Sequence, residues 1–244
     1  AASDVYKRQE HSQMADKYEV RRYVAERVGE DILTKCYGVF DNPDDIKLSD
    51  LPERFVIKAT HGCDMTLLCL DKNSLDWEKE KETMRSWLNT RIELIHGESH
   101  YSYIKARLIV EELLREEDID DLSDYKFFCF NGEPKFFKID RGRTTTRIQK
   151  YYYLDGRPAP FGVRHYETIE QSIPLPQGFL AMVQVVKKLS EDVPFARIDL
   201  YNISGKIKFG EITLTPCGGN LWFEPREWSD KMGEMLILPP ARTV

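Results

Sequence analysis

No apolar run in the chain approaches the roughly 20 residues that cross a bilayer. No excess of positive charge is present either. Thirty-five Lys and Arg stand against 41 Asp and Glu, a net charge of −6. That balance argues against general nucleic-acid binding, which favours a basic face. The five cysteines, Cys36, Cys63, Cys69, Cys129 and Cys217, include no Cys-x-x-Cys pair. A reduced, cytoplasmic protein is therefore expected rather than a disulfide scaffold. The histidines show no metal-ligand spacing. Neither G-x-G-x-x-G nor a Walker A loop occurs, so the two common nucleotide signatures are missing. No repeat and no low-complexity stretch interrupts the chain.

The 244 residues suffice for one large domain or two small subdomains sharing a core. Hydrophobic residues make up 41% and charged residues 31%, the mix of a soluble globular protein. The first nine residues, AASDVYKRQ, resemble a translated adaptor and are set aside from fold reasoning, so a natural N-terminus is expected to be missing. Asp16 to Val28 has the apolar spacing of a helix, with Gly29 as its stop. RFVIKATHG and MTLLCLDK read as a hairpin across His61-Gly62-Cys63-Asp64. Ser74 to Thr90 reads as a helix capped by Ser74 or Asp76. Ala106 to Leu114 is an apolar strand ending in two glutamates. YKFFCFNGEPKFFKID is a second hairpin, around Asn131-Gly132, and GFLAMVQVVKKLSED is an amphipathic helix. Arg141 to Gly162 is less regular, and Pro225 to Leu236 closes the chain with a short helix. Helices alternating with antiparallel hairpins indicate an α+β fold.

The stretch RIDLYNISGKIKFGEITLTP holds the strongest chemical signal. It reads as a third hairpin with Asp199 and Glu211 inside otherwise apolar strands. A two-residue Ser204-Gly205 loop puts these carboxylates on opposite faces. A three-residue Ser204-Gly205-Lys206 loop pairs Asp199 with Glu211 and Arg197 with Thr213. It leaves Ile198, Leu200, Ile212 and Leu214 as an apolar face, and this register is preferred because it separates polar from apolar residues. Facing carboxylates repel unless one is protonated or a cation sits between them. Their oxygens, with a Thr hydroxyl, suit magnesium rather than zinc. The plainer alternative is the solvated face of an edge hairpin.

Four other places have two readings. Lys58, beside the Gly62 loop, either reaches a phosphate or guards a sheet edge. One of Glu111 and Glu112 points inward near an adenine edge, or both cap a solvated strand end. Lys126 contacts a ligand or snorkels past Phe128 and Phe130. Arg141, Arg143 and Arg147 bind an anionic substrate or form a solvated loop.

The order of these pieces resembles the TupA-like ATP-grasp family, associated with teichuronopeptide and surface polysaccharide synthesis. The resemblance runs from DKYEVRRYV through LPERFVIKATHG, VEELL, DYKFFCFNGEP and ARIDLY to GEITLTP. It implies two α+β subdomains gripping ATP, expected over 10–110 and 111–244. Lys58 would match the phosphate-binding lysine, with Gly62 in the adjoining loop. Glu111, Glu112 and Leu113 would fall in the adenine hinge, and Asp124 and Lys126 near ribose or phosphate. Arg197 would match the arginine before the first metal ligand, and Asp199 and Glu211 the magnesium carboxylates. Thr213 stands where many such ligases have Asn. The implied activity is an ATP- and Mg2+-dependent, ADP-forming carboxylate–amine ligation through an acyl phosphate. Lys58 and Arg197 would neutralise the transferred phosphoryl group, and the Arg143 region would hold the acceptor. The alternatives are a nucleotide-sugar transferase, disfavoured by the lack of a D-x-D triplet at a suitable strand end, and a non-catalytic nucleotide- or polysaccharide-binding module.

Overall fold

A computed structural model describes residues 10–92, 99–115, 122–141, 148–163 and 174–237. The chain divides into two compact units, Ala1–Ala25 with Leu33–Leu114, and Glu26–Ile32 with Arg115–Val244. The boundary expected at 110/111 falls within a strand, β4, which runs from Leu108 to Glu112 and pairs through Glu111 with both its neighbours.

The first unit is built on a four-stranded antiparallel sheet of order β1-β4-β2-β3. Its other strands are β1 (Cys36–Phe40), β2 (Phe55–Ala59) and β3 (Thr66–Cys69). The β2–β3 hairpin forms across the expected loop, and β1 is an addition that its short CYGVF sequence does not announce. Parity divides β2. Phe55, Ile57 and Ala59 are buried, and Phe55 and Ile57 join Leu108, Val110 and Met84 in one core. Val56 and Lys58 point to the opposite face. Helix α1 (Val20–Val28) ends at Gly29, whose φ of +93° is open to glycine at little cost. Helix α2 (Trp77–Leu88) starts at Asp76, whose carboxylate accepts the Lys79 N–H at 3.3 Å.

The second unit has a five-stranded antiparallel sheet, β10-β9-β5-β6-β7. Its strands are β5 (Asp124–Phe130), β6 (Glu133–Arg141), β7 (Ile148–Tyr153), β9 (Phe195–Ile203) and β10 (Lys206–Thr213). A two-stranded ribbon of β8 (Gly162–Val163) and β11 (Phe223–Glu224) accompanies it. One sheet face carries Phe127, Phe137, Ile198 and Leu200 beneath helix α3 (Phe179–Ser190), with the Phe179 ring 4.8 Å from that of Phe137. The other face is divided. Its aromatic end packs Phe128, Phe130, Phe136, Tyr151, Phe161 and Phe223 with helix α4 (Glu227–Glu234). Its remaining part is charged, and the candidate site lies there. β7 forms from IQKYYY, where the sequence suggested no regular element. The fold is α+β with antiparallel sheets, as expected. No helix among the described residues is long and apolar enough to cross a membrane.

Candidate functional site

The β9–β10 hairpin reaches the expected carboxylate pairing by a different device. The turn is the two-residue loop Ser204-Gly205, not the preferred three-residue one. Both residues take left-handed φ, +49° and +87°, which suits the twist of the flanking strands. Asn202 fixes the turn by accepting the Gly205 N–H at 2.9 Å. Ile203 then pairs with Lys206 and Leu200 with Phe209. Continued unbroken, that register would place Glu211 on the apolar face. A bulge at Gly210 absorbs one residue, after which Asp199 pairs with Glu211 and Arg197 with Thr213. Glycine is needed there, because a Cβ would lie 2.9 Å from the Asp199 carbonyl oxygen and 3.2 Å from the Tyr201 ring. Ile198, Leu200, Ile212 and Leu214 are buried on the other face, as the pattern required.

Arg197 is the cation between the facing carboxylates. Its Nε donates to Asp199 Oδ1 at 2.8 Å, and its Nη2 donates to Asp199 Oδ2 at 2.8 Å and to Glu211 Oε1 at 2.5 Å. Thr213 Oγ1 donates to the same Glu211 oxygen at 3.1 Å. Lys126, on the neighbouring β5, donates to Asp124 Oδ2 at 2.6 Å and also to Asp199. Asp199 is 2% exposed, whereas the Glu211 side chain is 37% exposed. Burial pushes the Asp199 carboxyl up, and Arg197 and Lys126 pull it back down. Burial opposes the charge on Lys126 and Arg197 as well, but the surrounding carboxylates prevail and both hold their protons more tightly than usual. Lys126 is thus a buried member of an ionic network, not a lysine snorkelling to solvent.

The donor set of Asp199, Glu211 and Thr213 suits a hard divalent cation. All three offer oxygen, they come from adjacent strands on one face, and Glu211 is accessible. Arg197 now bridges the two carboxylates, so the positive charge such an ion would bring is already supplied there by a guanidinium. Among the described residues no group of three or more His, Cys, Asp or Glu side chains is arranged to hold a metal. The site has two such carboxylates plus a hydroxyl.

The first unit contributes a separate cluster. Glu111 of β4 is inward and buried while Glu112 is exposed, which resolves the alternation. Glu111 accepts from Lys58 Nζ at 3.0 Å and from Arg21 Nη1 at 2.8 Å. Arg21 Nη2 also donates to the Thr34 carbonyl at 2.7 Å. Glu111 is therefore a counter-ion gripped from two sides, and Lys58 faces a carboxylate rather than guarding an open edge. Leu113 is half-buried just beyond the strand. Gly62 is required by space. A Cβ would lie 2.5 Å from Ile92 Cγ1 and Met65 Cε, and Lys17 holds the Gly62 carbonyl from outside.

Arg143 and Arg147 lie outside the described residues, while Arg141 donates from Nε to Ser123 Oγ at 2.7 Å. Arg21, Lys138 and Asp140 were not among the expected site residues. The signal for the last two lies in DYKFFCFNGEPKFFKID, a near-palindrome about Asn131-Gly132. Its symmetry puts Asp124 opposite Asp140 and Lys126 opposite Lys138.

No curated protein matches the chain. Among solved structures, the D-alanine–D-alanine ligase of Bacillus anthracis in complex with ATP is 13% identical, with 83% of this chain and 54% of that one covered at a TM-score of 0.46. The phosphoribosylamine–glycine ligase of Thermotoga maritima is 16% identical, covering 83% and 48% at 0.48. The D-alanine–D-alanine ligase of Helicobacter pylori is 12% identical, covering 93% and 60% at 0.49. The chain thus spans about half to two thirds of the length of these structures. The sequence profile of the TupA-like ATP-grasp family matches residues 3–237, and the chain belongs to that family.

Proposed function

We propose that this chain forms the ATP-binding and catalytic core of an ADP-forming carboxylate–amine ligase. In this reading the terminal phosphoryl group of ATP passes to a substrate carboxylate, with ADP leaving. An amine then attacks the acyl carbon and phosphate leaves. Surface polysaccharide or teichuronopeptide synthesis is the proposed setting, in the cytoplasm, where ATP is available. The observation that carries the reading is the Lys126–Asp199–Arg197–Glu211 network, built by a bulge on one charged sheet face of a chain in this family.

The roles of the side chains follow from their chemistry. Arg197 is the fork-shaped donor suited to phosphoryl oxygens, and it is held flat by Asp199. Lys126 fixes Asp199 from the other side, so Arg197 is pre-oriented rather than free to rotate. Lys58, its position set by Glu111, is proposed as the phosphate-binding cation of the first unit. Asp199, Glu211 and Thr213 would hold magnesium, which would neutralise charge on the nucleotide phosphates. Asp124, Leu113, Glu112 and the Gly62 loop are proposed as nucleotide contacts, and Arg143 as an acceptor contact.

ADP release with a panel of carboxylates, using hydroxylamine as the trapping amine, tests the reading. ADP and hydroxamate in equal amounts, both lost in Arg197→Met, are expected. A nucleotide-binding protein without turnover is the second reading, favoured by one observation: both Asp199 oxygens are already committed to cations. Nucleotide binding with no ADP release from any acceptor would select it.

A further inference from the structure

The palindromic β5–β6 hairpin places like charges directly across from one another. Lys126 pairs with Lys138, and Asp124 with Asp140. Like charges opposite in a sheet repel, so this arrangement is retained at a cost that something else must offset. The two lysines are not equivalent. Lys126 is committed to two carboxylates, Asp124 and Asp199. Lys138 is 8% exposed, and among the described residues its ammonium has one ionic partner, Asp140 Oδ1 at 3.1 Å. The Tyr151 ring lies 6.0 Å from it. An ammonium carries three donors and no acceptor, so among the described residues donor capacity on Lys138 is left over. It stands on the same sheet face as Lys126 and Arg197, two strands from the latter.

We propose that Lys138 is the anchor of an oxyanion-binding subsite on the charged face of this sheet, taking a carboxylate or a phosphoryl group. The proposal deepens the ligase reading and rests on it only for the identity of the ligand. Lys126 stands directly opposite, and Asp140, two residues along the same strand, pairs with the ammonium. An anion here would relieve the lysine–lysine repulsion and fill the spare donors, which neither a structural salt bridge nor a solvated lysine would need. Burial lowers the Lys138 pKa, Asp140 opposes that, and Lys126 and Arg197 add to it.

The test is NMR of the full chain carrying 13C-labelled lysine, with Lys138→Arg used to identify the Lys138 Cε signal. Inorganic phosphate and acetate are titrated separately, and ATP binding is measured by calorimetry on the same samples. A saturable shift of the Lys138 signal is expected with at least one anion. Phosphate alone marks a phosphoryl subsite, and acetate alone a carboxylate subsite. Lys138→Met should weaken that anion about 10- to 100-fold, the weight of one charge-assisted hydrogen bond, while Lys138→Arg largely restores it. Asp140→Asn should tighten it. A Lys138 signal silent to both anions, in protein that binds ATP normally, overturns the subsite and leaves the ligase reading intact. A shift with phosphate in protein that does not bind ATP does the reverse.

Discussion

Replacing Gly210 with alanine adds one methyl group at the point where β10 changes register, and its consequences can be worked from the contacts. The new Cβ would lie 2.9 Å from the Asp199 carbonyl oxygen and 3.2 Å from Tyr201 Cε2. The tyrosine ring can turn aside, but the carbonyl cannot. It belongs to β9, which is hydrogen-bonded on both sides, to β10 and to β5. The bulged strand must therefore move outward by a few tenths of an ångström. Overpacking of this kind costs about 1–3 kcal/mol. For a chain of this size that lowers Tm by roughly 2–12 °C. The second effect is chemical. Moving the bulge shifts Glu211 relative to Arg197, whose contact is 2.5 Å in the intact protein. ADP formation should thus fall further than stability predicts, measured at a temperature where circular dichroism shows the variant fully folded. An alanine variant with wild-type Tm and wild-type turnover would refute the argument that this bulge sets the carboxylate pairing.

Other outcomes follow from other parts of the structure. Arg197→Met leaves the Asp199–Glu211 pairing without its bridge; breaking a buried ion pair costs about 3–5 kcal/mol, to be read by urea unfolding. Arg21→Met and Lys58→Met each remove one partner of buried Glu111, so a double-mutant cycle should show coupling of about 0.5–3 kcal/mol, whereas strict additivity would mean that Glu111 does not link them. Burial, with a contribution from His11, lowers the His100 pKa from 6.5 to about 4, so the native state holds this ring neutral. Its contribution to stability is complete above the unfolded value near 6.5 and is lost as pH falls towards 4, because the unfolded chain then binds the extra proton. His100→Gln should flatten the pH dependence of urea unfolding in that window, by about 3 kcal/mol at most; an unchanged slope would contradict it.

Most elements were legible in the sequence because their apolar spacing was long and regular. The α3 helix and the β5–β6 hairpin owe their visibility to Phe179, Met182, Val183 and Val186 and to the Asn131-Gly132 turn. Strands β1 and β7 were hidden for different reasons. CYGVF has no buried residue to mark a face, and IQKYYY lacks a clean alternation of apolar and polar residues. The carboxylate pairing was legible for its result and not for its route. The demand that polar and apolar residues separate identified Asp199 opposite Glu211, but it could not distinguish a longer turn from a bulge. Gly210 was the clue, a lone glycine inside a strand. Arg21 could not be found by pattern, since it meets Glu111 across 90 residues of sequence. Lys138 and Asp140 could have been found, by reading the palindrome about Asn131-Gly132 as a pairing rule.

If Asp199 and Glu211 hold a divalent ion for a nucleotide, magnesium should strengthen ATP binding through both carboxylates. Calorimetric titration of ATP into wild type and Glu211→Gln, each with and without magnesium, checks this. Magnesium is expected to tighten ATP binding in the wild type, with the gain gone in Glu211→Gln and magnesium-free binding nearly unchanged. An equal magnesium gain in both proteins would contradict it.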